Sequence, residues 1–461
     1  MQYDLKIING NILTEDGFID SIGIKDGKIT SLHPKQNESY KDLYDLDGKY
    51  VIPGFFDAHT HMLISGLQEI RLNLENVTDI NKVIEIVYKR SLYTKEKIII
   101  GYGWDESLWK NHEYIKKNDL DVTNLPVILF RKDLHMASLN TAALKLLNID
   151  SKDGIINEEL LRKIDYLTLP SEEEIINALN ISIKKALSLG ITSLRDIVDL
   201  KTYNAYKKIK TPLNIYKALY DNFYFEGFGK NNRDAGIKIF MDGSIGAKTA
   251  AHEDYKNLKM TSNQLYNLSK KYWDINIPVV VHAIGEIAIK ETLFALLKSP
   301  QYIRNSIEHF ELIEDPLIDM INDNTIISAQ PNYLQWASPS GLYEHELGKE
   351  WLYKNNSFRS ILDAKKHLAF GSDSMPMNPF YGINFAINSK YPNQKINIYE
   401  AINAYTNGSA YVLNKENSVG KIDINYDADF IVLNENIFKL NNISNIKPLR
   451  TYIKGRLVYE K

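Results

Sequence analysis

The chain has 461 residues, 44% of them hydrophobic and 25% charged, an ordinary globular composition that excludes wholesale disorder. Its 55 Lys+Arg against 58 Asp+Glu leave a net charge of -3, and no basic cluster marks a nucleic-acid binder. Cysteine is absent, which excludes disulfides, thiolate metal sites and a Cys nucleophile, so site chemistry has to use His, carboxylate, Lys or hydroxyl groups. The start, Met1-Gln-Tyr-Asp-Leu-Lys, lacks the features of a signal peptide, and no apolar run approaches the roughly 20 residues needed to cross a bilayer. A soluble cytoplasmic protein without membrane or nucleic-acid partners is the expectation.

At about 150 residues per domain, the length suits roughly three domains or one large barrel with additions. The first fifty residues read as short strands, as at 5–8 and 22–24. Asn9-Gly10, Asp16-Gly17, Asp26-Gly27 and Asp47-Gly48 punctuate them at hairpin-like intervals. Apolar β-rich runs then alternate with helical stretches, the pattern of an α/β parallel sheet. Strands are expected at 55–61, 191–197, 213–220, 237–241, 279–283, 306–310, 326–330 and 368–372, the number that closes a (β/α)8 barrel of TIM type. Ser171-Glu-Glu-Glu174 is a capping box for a helix through Leu187, and Gly190 is a natural stop. Residues about 62–170 are too many for one crossover and read as a long insertion over the barrel mouth. The chain is strand-like again at 429–433 and 450–458, with a turn at Lys454-Gly455. The expected organisation is a small β-sandwich built from 1–52 and 412–461, and a barrel over 53–411; two unrelated terminal hairpins are the alternative.

Asp57-Ala-His59-Thr-His61 ends the first barrel strand, where alternate side chains share a face. Two imidazoles there suit Zn2+ or a similar divalent ion. Val279-Val-Val-His282 and Ser306-Ile-Glu-His309 are strands ending in His, Leu368-Ala-Phe-Gly-Ser-Asp373 ends in a carboxylate, and Lys238 stands in a strand that otherwise reads as buried. Taken singly, a strand His is more often a satisfied core residue and Lys238 a snorkelling lysine. As an ordered set they belong where barrel sites assemble, at the C-terminal ends of different strands. Trp104, Trp109, His135, Gln330 and Trp336 are candidates for a substrate pocket that favours an apolar or aryl substituent, with packing as their alternative role. His33, His112, His252, His345 and His367 lie outside these motifs.

Pro53-Gly-Phe-Phe-Asp57-Ala-His59-Thr-His61, Gly101-Tyr-Gly-Trp104-Asp, Arg131-Lys-Asp-Leu-His135 and the run from Gly236 through Lys238 to Ala250 together resemble the amidohydrolase superfamily in its binuclear form. Within it they are similar to the amidohydrolase-3 branch, which includes N-substituted formamide deformylases. The resemblance spans nearly the whole chain. It implies a metal-dependent hydrolase of non-peptide carbon–nitrogen bonds, with a small amide, N-substituted formamide or cyclic amide as substrate. It further implies that His59 and His61 bind one divalent ion and His282 and His309 another, with Zn2+ expected. A CO2-derived carbamate on Lys238 would bridge the ions, which would share a hydroxide. Asp373 would bind the first ion and handle protons as the catalytic residue. Trp104, His135 and Gln330 would contact substrate.

Two departures from the family pattern stand out. Arg195, in Ser193-Leu-Arg-Asp196, replaces a frequent His and is expected to bear on substrate contacts. Asn425-Tyr426 replaces the usual Gly-Lys and should matter only to the sandwich. Two rival readings remain: a mononuclear deaminase using Glu286 shortly after His282, and a non-catalytic binding or scaffold relative, against which the six filled ligand positions argue. A homodimer is left open.

Overall fold

The computed structural model describes residues 2–35, 37–75, 77–94, 97–157, 160–161, 164, 169–253, 256–313 and 315–461. Eight strands form one parallel sheet that curls almost to closure. In chain order they are β1 (Phe55–Thr60), β2 (Ile191–Val198), β3 (Asn214–Tyr220), β4 (Asp234–Phe240), β5 (Val279–Ala283), β6 (Asn305–His309), β7 (Thr325–Ala329) and β8 (Leu368–Phe370). Each pairs in parallel with the next. The strands of such a sheet are covered on both faces, which is why their sequences read as continuous apolar runs rather than as alternation. Every residue of β1, β2, β5, β6 and β7 is buried accordingly.

The seam between β8 and β1 is drawn together by individual hydrogen bonds. Asp373 N donates to His59 O at 2.8 Å, and Ser372 donates through N and Oγ to the Asp57 carboxylate at 2.8 and 2.5 Å. Asp57 therefore secures the seam and takes no place in the cavity beside His59. β1 stops at Thr60, and His61 opens helix α1 (Met62–Ile70). This helix packs against α2 (Glu172–Ser188), whose start is capped by Ser171 Oγ accepting Glu174 N–H.

Between α1 and α2 lies the expected insertion. It holds a five-stranded sheet, in spatial order Ile155–Asn157, Met136–Leu139, Val127–Arg131, Ile99–Trp104 and Leu72–Asn73. Helix Ile80–Tyr93 covers it through Val83 and Val87. The loop after Val127–Arg131 reaches over the C-terminal mouth of the barrel, where Arg131, Asp133, Leu134 and His135 meet the cavity.

The two chain ends supply further sheets. Four N-terminal strands form one of them, and strand Phe430–Leu433 pairs antiparallel with Tyr50–Pro53 at the centre of a six-stranded second. Both sheets contribute to one apolar cluster that includes Ile7, Ile24, Val51, Phe430 and Val432. Asn425 and Tyr426 exchange backbone hydrogen bonds with Ile29, within these terminal sheets.

Gly371 follows β8 at the seam. A Cβ there would lie 2.5 Å from His59 N and 2.7 Å from His59 Cβ, so Ala could be admitted only by pushing β1 aside. Overpacking of this kind costs about 1–3 kcal/mol. Gly371→Ala is expected to lose that much stability in urea unfolding and, because His59 moves, to weaken metal binding in titration as well.

Candidate metal centre and substrate cavity

The C-terminal ends of the barrel strands open into one cavity of about 310 Å3. His59, His61, Lys238, His282, His309 and Asp373 all line it. His59 Nε2 and His61 Nε2 lie 3.5 and 3.0 Å from Asp373 Oδ1, and one ligand atom from each of these three residues falls within 4.8 Å of the others. The His309 ring is 5.0 Å from that of His59 and 4.4 Å from that of His282, centroid to centroid. The parallel sheet puts equivalent strand ends side by side, so residues hundreds of positions apart meet here.

The donor set fits a divalent cation. Three buried ligand atoms, His59 Nε2, His309 Nδ1 and Asp373 Oδ1, have no hydrogen-bond partner among the described residues, although buried polar atoms almost always find one. The other atoms of these and neighbouring groups are held in place. His59 Nδ1 lies 2.5 Å from Glu308 Oε2, Asp373 Oδ2 accepts the Tyr333 hydroxyl, and His282 Nε2 donates to Gly243 O at 2.9 Å. Burial draws the His59 imidazole down to about 4 and holds His282 and His309 well below the usual imidazole range. These rings are therefore neutral, with lone pairs to give. Burial also draws the Lys238 ammonium down to about 8. Its Nζ, 5.1 Å from the Phe240 ring, makes no hydrogen bond or ion pair among the described residues.

Behind the cavity runs a chain of buried charge that sequence reasoning missed. Arg195 on β2 is 1% exposed and Glu308 on β6 is 0% exposed. The guanidinium donates to Ala58 O at 2.7 Å, to Ser306 Oγ at 2.9 Å and to Glu308 Oε1 at 2.6 Å. Burial alone would raise the Glu308 carboxyl, but Arg195 and His59 hold it well below the ordinary carboxylate range. Glu308 is thus an anion that accepts the His59 Nδ1 proton and leaves Nε2 facing the cavity, the arrangement that orients metal-ligating histidines generally. Arg195 does not line the cavity. The expectation that it bears on substrate contacts is overturned, because three acceptors on β1 and β6 hold it inside the barrel. A Glu within a five-residue strand that is buried throughout was the available signal, since it needs a buried cationic partner.

The walls divide the proposed substrate residues. His135 lines the cavity from the insertion, its ring 6.3 Å from that of His282, and Trp336 lines it from the loop after β7. Trp104 does not. Its ring is fully buried in the insertion's own core and Nε1 donates to Leu129 O at 2.9 Å. The physical cause is a register shift between Tyr102 and Trp104, with Gly103 at φ +94°, which turns the indole away from the mouth. Trp109 packs in the same core and donates to Val77 O at 2.8 Å. Gln330 is also buried outside the cavity, with Nε2 on Ser328 O at 3.1 Å. The 3-10 turn Pro331–Trp336 that follows it presents Tyr333 and Trp336 instead.

Unforeseen polar wall groups include Arg131, Asp133 and Glu311. Arg131 is gripped through Nε and Nη2 by Glu106 at 2.8 and 2.6 Å and through Nη1 by Asp133 at 2.7 Å. Glu286 lies away from the cavity, its Oε2 2.8 Å from His252 Nδ1.

The sequence model of the amidohydrolase family matches residues 42–459. The chain is 27% identical to YtcJ of Bacillus subtilis (strain 168), over 98% of each protein. It is 20% identical to the N-substituted formamide deformylase of Arthrobacter pascens, over 99% of this chain and 98% of that protein. Among solved structures, an uncharacterized metal-dependent hydrolase from Pyrococcus furiosus aligns with a TM-score of 0.75 at 26% identity, covering 94% of this chain and 100% of that one.

Arg195→Met would strand the Glu308 anion in the interior, at about 3–5 kcal/mol of stability, and should lower metal affinity about 10–100-fold through His59. In Arg195→Met combined with Glu308→Leu, stability measured by urea unfolding of the chelated protein should largely recover. Metal affinity should stay low, because His59 has still lost its acceptor. A single variant as stable as wild type would show that the pair carries no structural weight.

Proposed function

We propose that this chain, which belongs to the amidohydrolase family, hydrolyses non-peptide carbon–nitrogen bonds in a small amide, N-substituted formamide or cyclic amide. One observation carries the reading: buried ligand atoms without partners, His59 Nε2, His309 Nδ1 and Asp373 Oδ1, converge on a cavity that also holds the unpaired Lys238 amine. His59 and His61 would hold one divalent ion with Asp373, and His282 and His309 a second. Lys238, as a CO2-derived carbamate, would lie between them, because an ammonium has no lone pair for a cation while a carbamate has two anionic oxygens. Zn2+ suits the nitrogen and oxygen donors. When bound, such ions polarise a carbonyl and acidify water.

The remaining work falls to the chain. The Tyr333 hydroxyl orients the Asp373 carboxylate through Oδ2, and that carboxylate would take a proton from the attacking water and return it to the leaving nitrogen. The carboxyl stays ionised for this role. Burial pushes it up, but the His59, His61 and His309 rings outweigh burial and hold it below the ordinary range. Phe240, Leu134, Trp336 and Met375 give the same cavity apolar walls, and His135 from the insertion would face the substrate.

The rival deaminase reading needs a carboxyl beside the fifth-strand His. Glu286 is committed to His252 and, through Oε1, to Glu253 N at 2.7 Å. That commitment, with Lys238 in the cavity, favours the binuclear hydrolase.

Metal analysis of protein purified without chelator should return about two ions per chain. With metal saturating, Asp373→Asn should lower kcat by about 10²–10⁴-fold; turnover within a few-fold of wild type would remove Asp373 from the mechanism. Lys238→Ala should lose activity and most of the second ion, and a short carboxylic acid should restore part of both by supplying the missing anion. Normal metal content in Lys238→Ala would refute the carbamate.

A further inference from the structure

The four-stranded N-terminal sheet ends in strand Tyr40–Asp45, which pairs in parallel with Tyr3–Ile8 on one side. No strand flanks its other side among the described residues. Such an edge invites pairing with another chain unless Pro, a bulge or short length blunts it. This one runs six residues without Pro, and its register is unbroken from Leu5↔Asp42 to Ile8↔Asp45. All of its residues except the partly buried Tyr44 are exposed.

Side chains alternate along the strand. Tyr40, Asp42 and Tyr44 share the face of Leu5 and Ile7, which belong to the apolar cluster between the terminal sheets. The Arg450 guanidinium lies 4.2 Å from the Tyr44 ring centre and donates to Glu460 at 2.7 Å, so the strand is held in place before any partner arrives. Lys41, Leu43 and Asp45 share the outer face, and Leu43 is 44% exposed. Across the adjoining groove, Leu457 on the edge strand of the six-stranded sheet is also exposed.

A Lys on an edge strand ordinarily deters pairing. The same strand running in the opposite direction removes that deterrent. Antiparallel pairing centred on Leu43 sets Lys41 of each copy opposite Asp45 of the other, with the two Leu43 side chains together between them. Lys41 gives one N–H to Asp4 at 2.5 Å, and Asp45 accepts Asn9 Nδ2 and Asp47 N, each at 2.9 Å. An ammonium has three donors and a carboxylate about four acceptor sites, so both keep capacity for a partner. Centred on Asp42 instead, two carboxylates would stand directly opposite, which is unfavourable. The strand is therefore complementary to itself in charge, as a two-fold interface requires.

We propose that strand Tyr40–Asp45 pairs antiparallel with the same strand of a second copy, about a two-fold axis at Leu43, and joins the N-terminal sheets of two chains. The occupant of this edge is thus another molecule of the same protein, and the metal cavity takes no part in the contact.

Sedimentation of the metal-loaded protein at micromolar concentration should give twice the 53.0 kDa of one chain. Lys41→Glu and Asp45→Lys should each weaken self-association at least about ten-fold, since each places like charges at two symmetric positions. Mixing the two variants should restore the dimer, because Glu at 41 then meets Lys at 45 and Asp45 meets Lys41. Because the chain has no cysteine, Leu43→Cys supplies a second readout. Mild oxidation should link it into a covalent dimer, whereas Tyr93→Cys, at an exposed position of the insertion, should stay monomeric. A monomeric wild type, a dimer that survives both charge reversals, or variants that stay apart when mixed would each overturn the assignment.

Discussion

Arg195 and Glu308 form a buried ion pair that reaches the neutral His59 ring, from β2 across β6 to β1, and the candidate metal centre depends on it. Removing two charged groups from water costs several kcal/mol per ion and is offset only by close geometry with every polar atom engaged. That geometry is present: the guanidinium has acceptors on Ala58, Ser306 and Glu308, and both Glu308 oxygens are used. The arrangement makes His59 Nδ1 a hydrogen-bond donor and leaves the lone pair on Nε2. It also ties three strands together beneath the site, so the position of the ligand and the closure of the barrel are set by the same contacts.

The site is divided between two structural layers with different duties. Candidate ligands come from strand ends and the turn after β8, whose backbones are fixed by the parallel ladder and by the Asp57–Ser372 hydrogen bonds at the seam. The selective walls come from the insertion and from barrel loops. These are joined by polar contacts such as Asp133 with Ser244, Lys132 with Gln335 at 3.0 Å and Trp336 Nε1 with Asp105 at 3.2 Å. Ligand geometry can thus stay constant while the walls change, which is how this type of barrel supports different substrates.

The barrel was legible because several of its strands, such as Val279–Ala283 and Leu368–Phe370, are short apolar runs with a polar residue at or just beyond their ends, as strands buried on both faces tend to read. His282, His309 and Asp373 announced themselves by breaking such runs at the end where sites form. Trp104 and Gln330 misled for the opposite reason. Their residue types suit a pocket, but a register shift at Gly103 and the turn that begins at Pro331 aim them elsewhere. Arg195 misled in the same way, since its position in β2 says nothing about which strand its long side chain will reach.

What the sequence by itself determined is local: the alternation of strands and helices, the eight strand ends, and the residue types that can donate lone pairs to a cation. Only the tertiary structure decided which side chains became walls, which became supports, and which carboxyls had partners. Glu308 and Glu311 are three residues apart, yet one is satisfied by an arginine from β2 and a histidine from β1, while the other lines the cavity and accepts the Tyr343 hydroxyl. Pairing between strands more than a hundred residues apart sets that difference, because the cost of burying a charge depends on what the fold brings within a few ångströms of it.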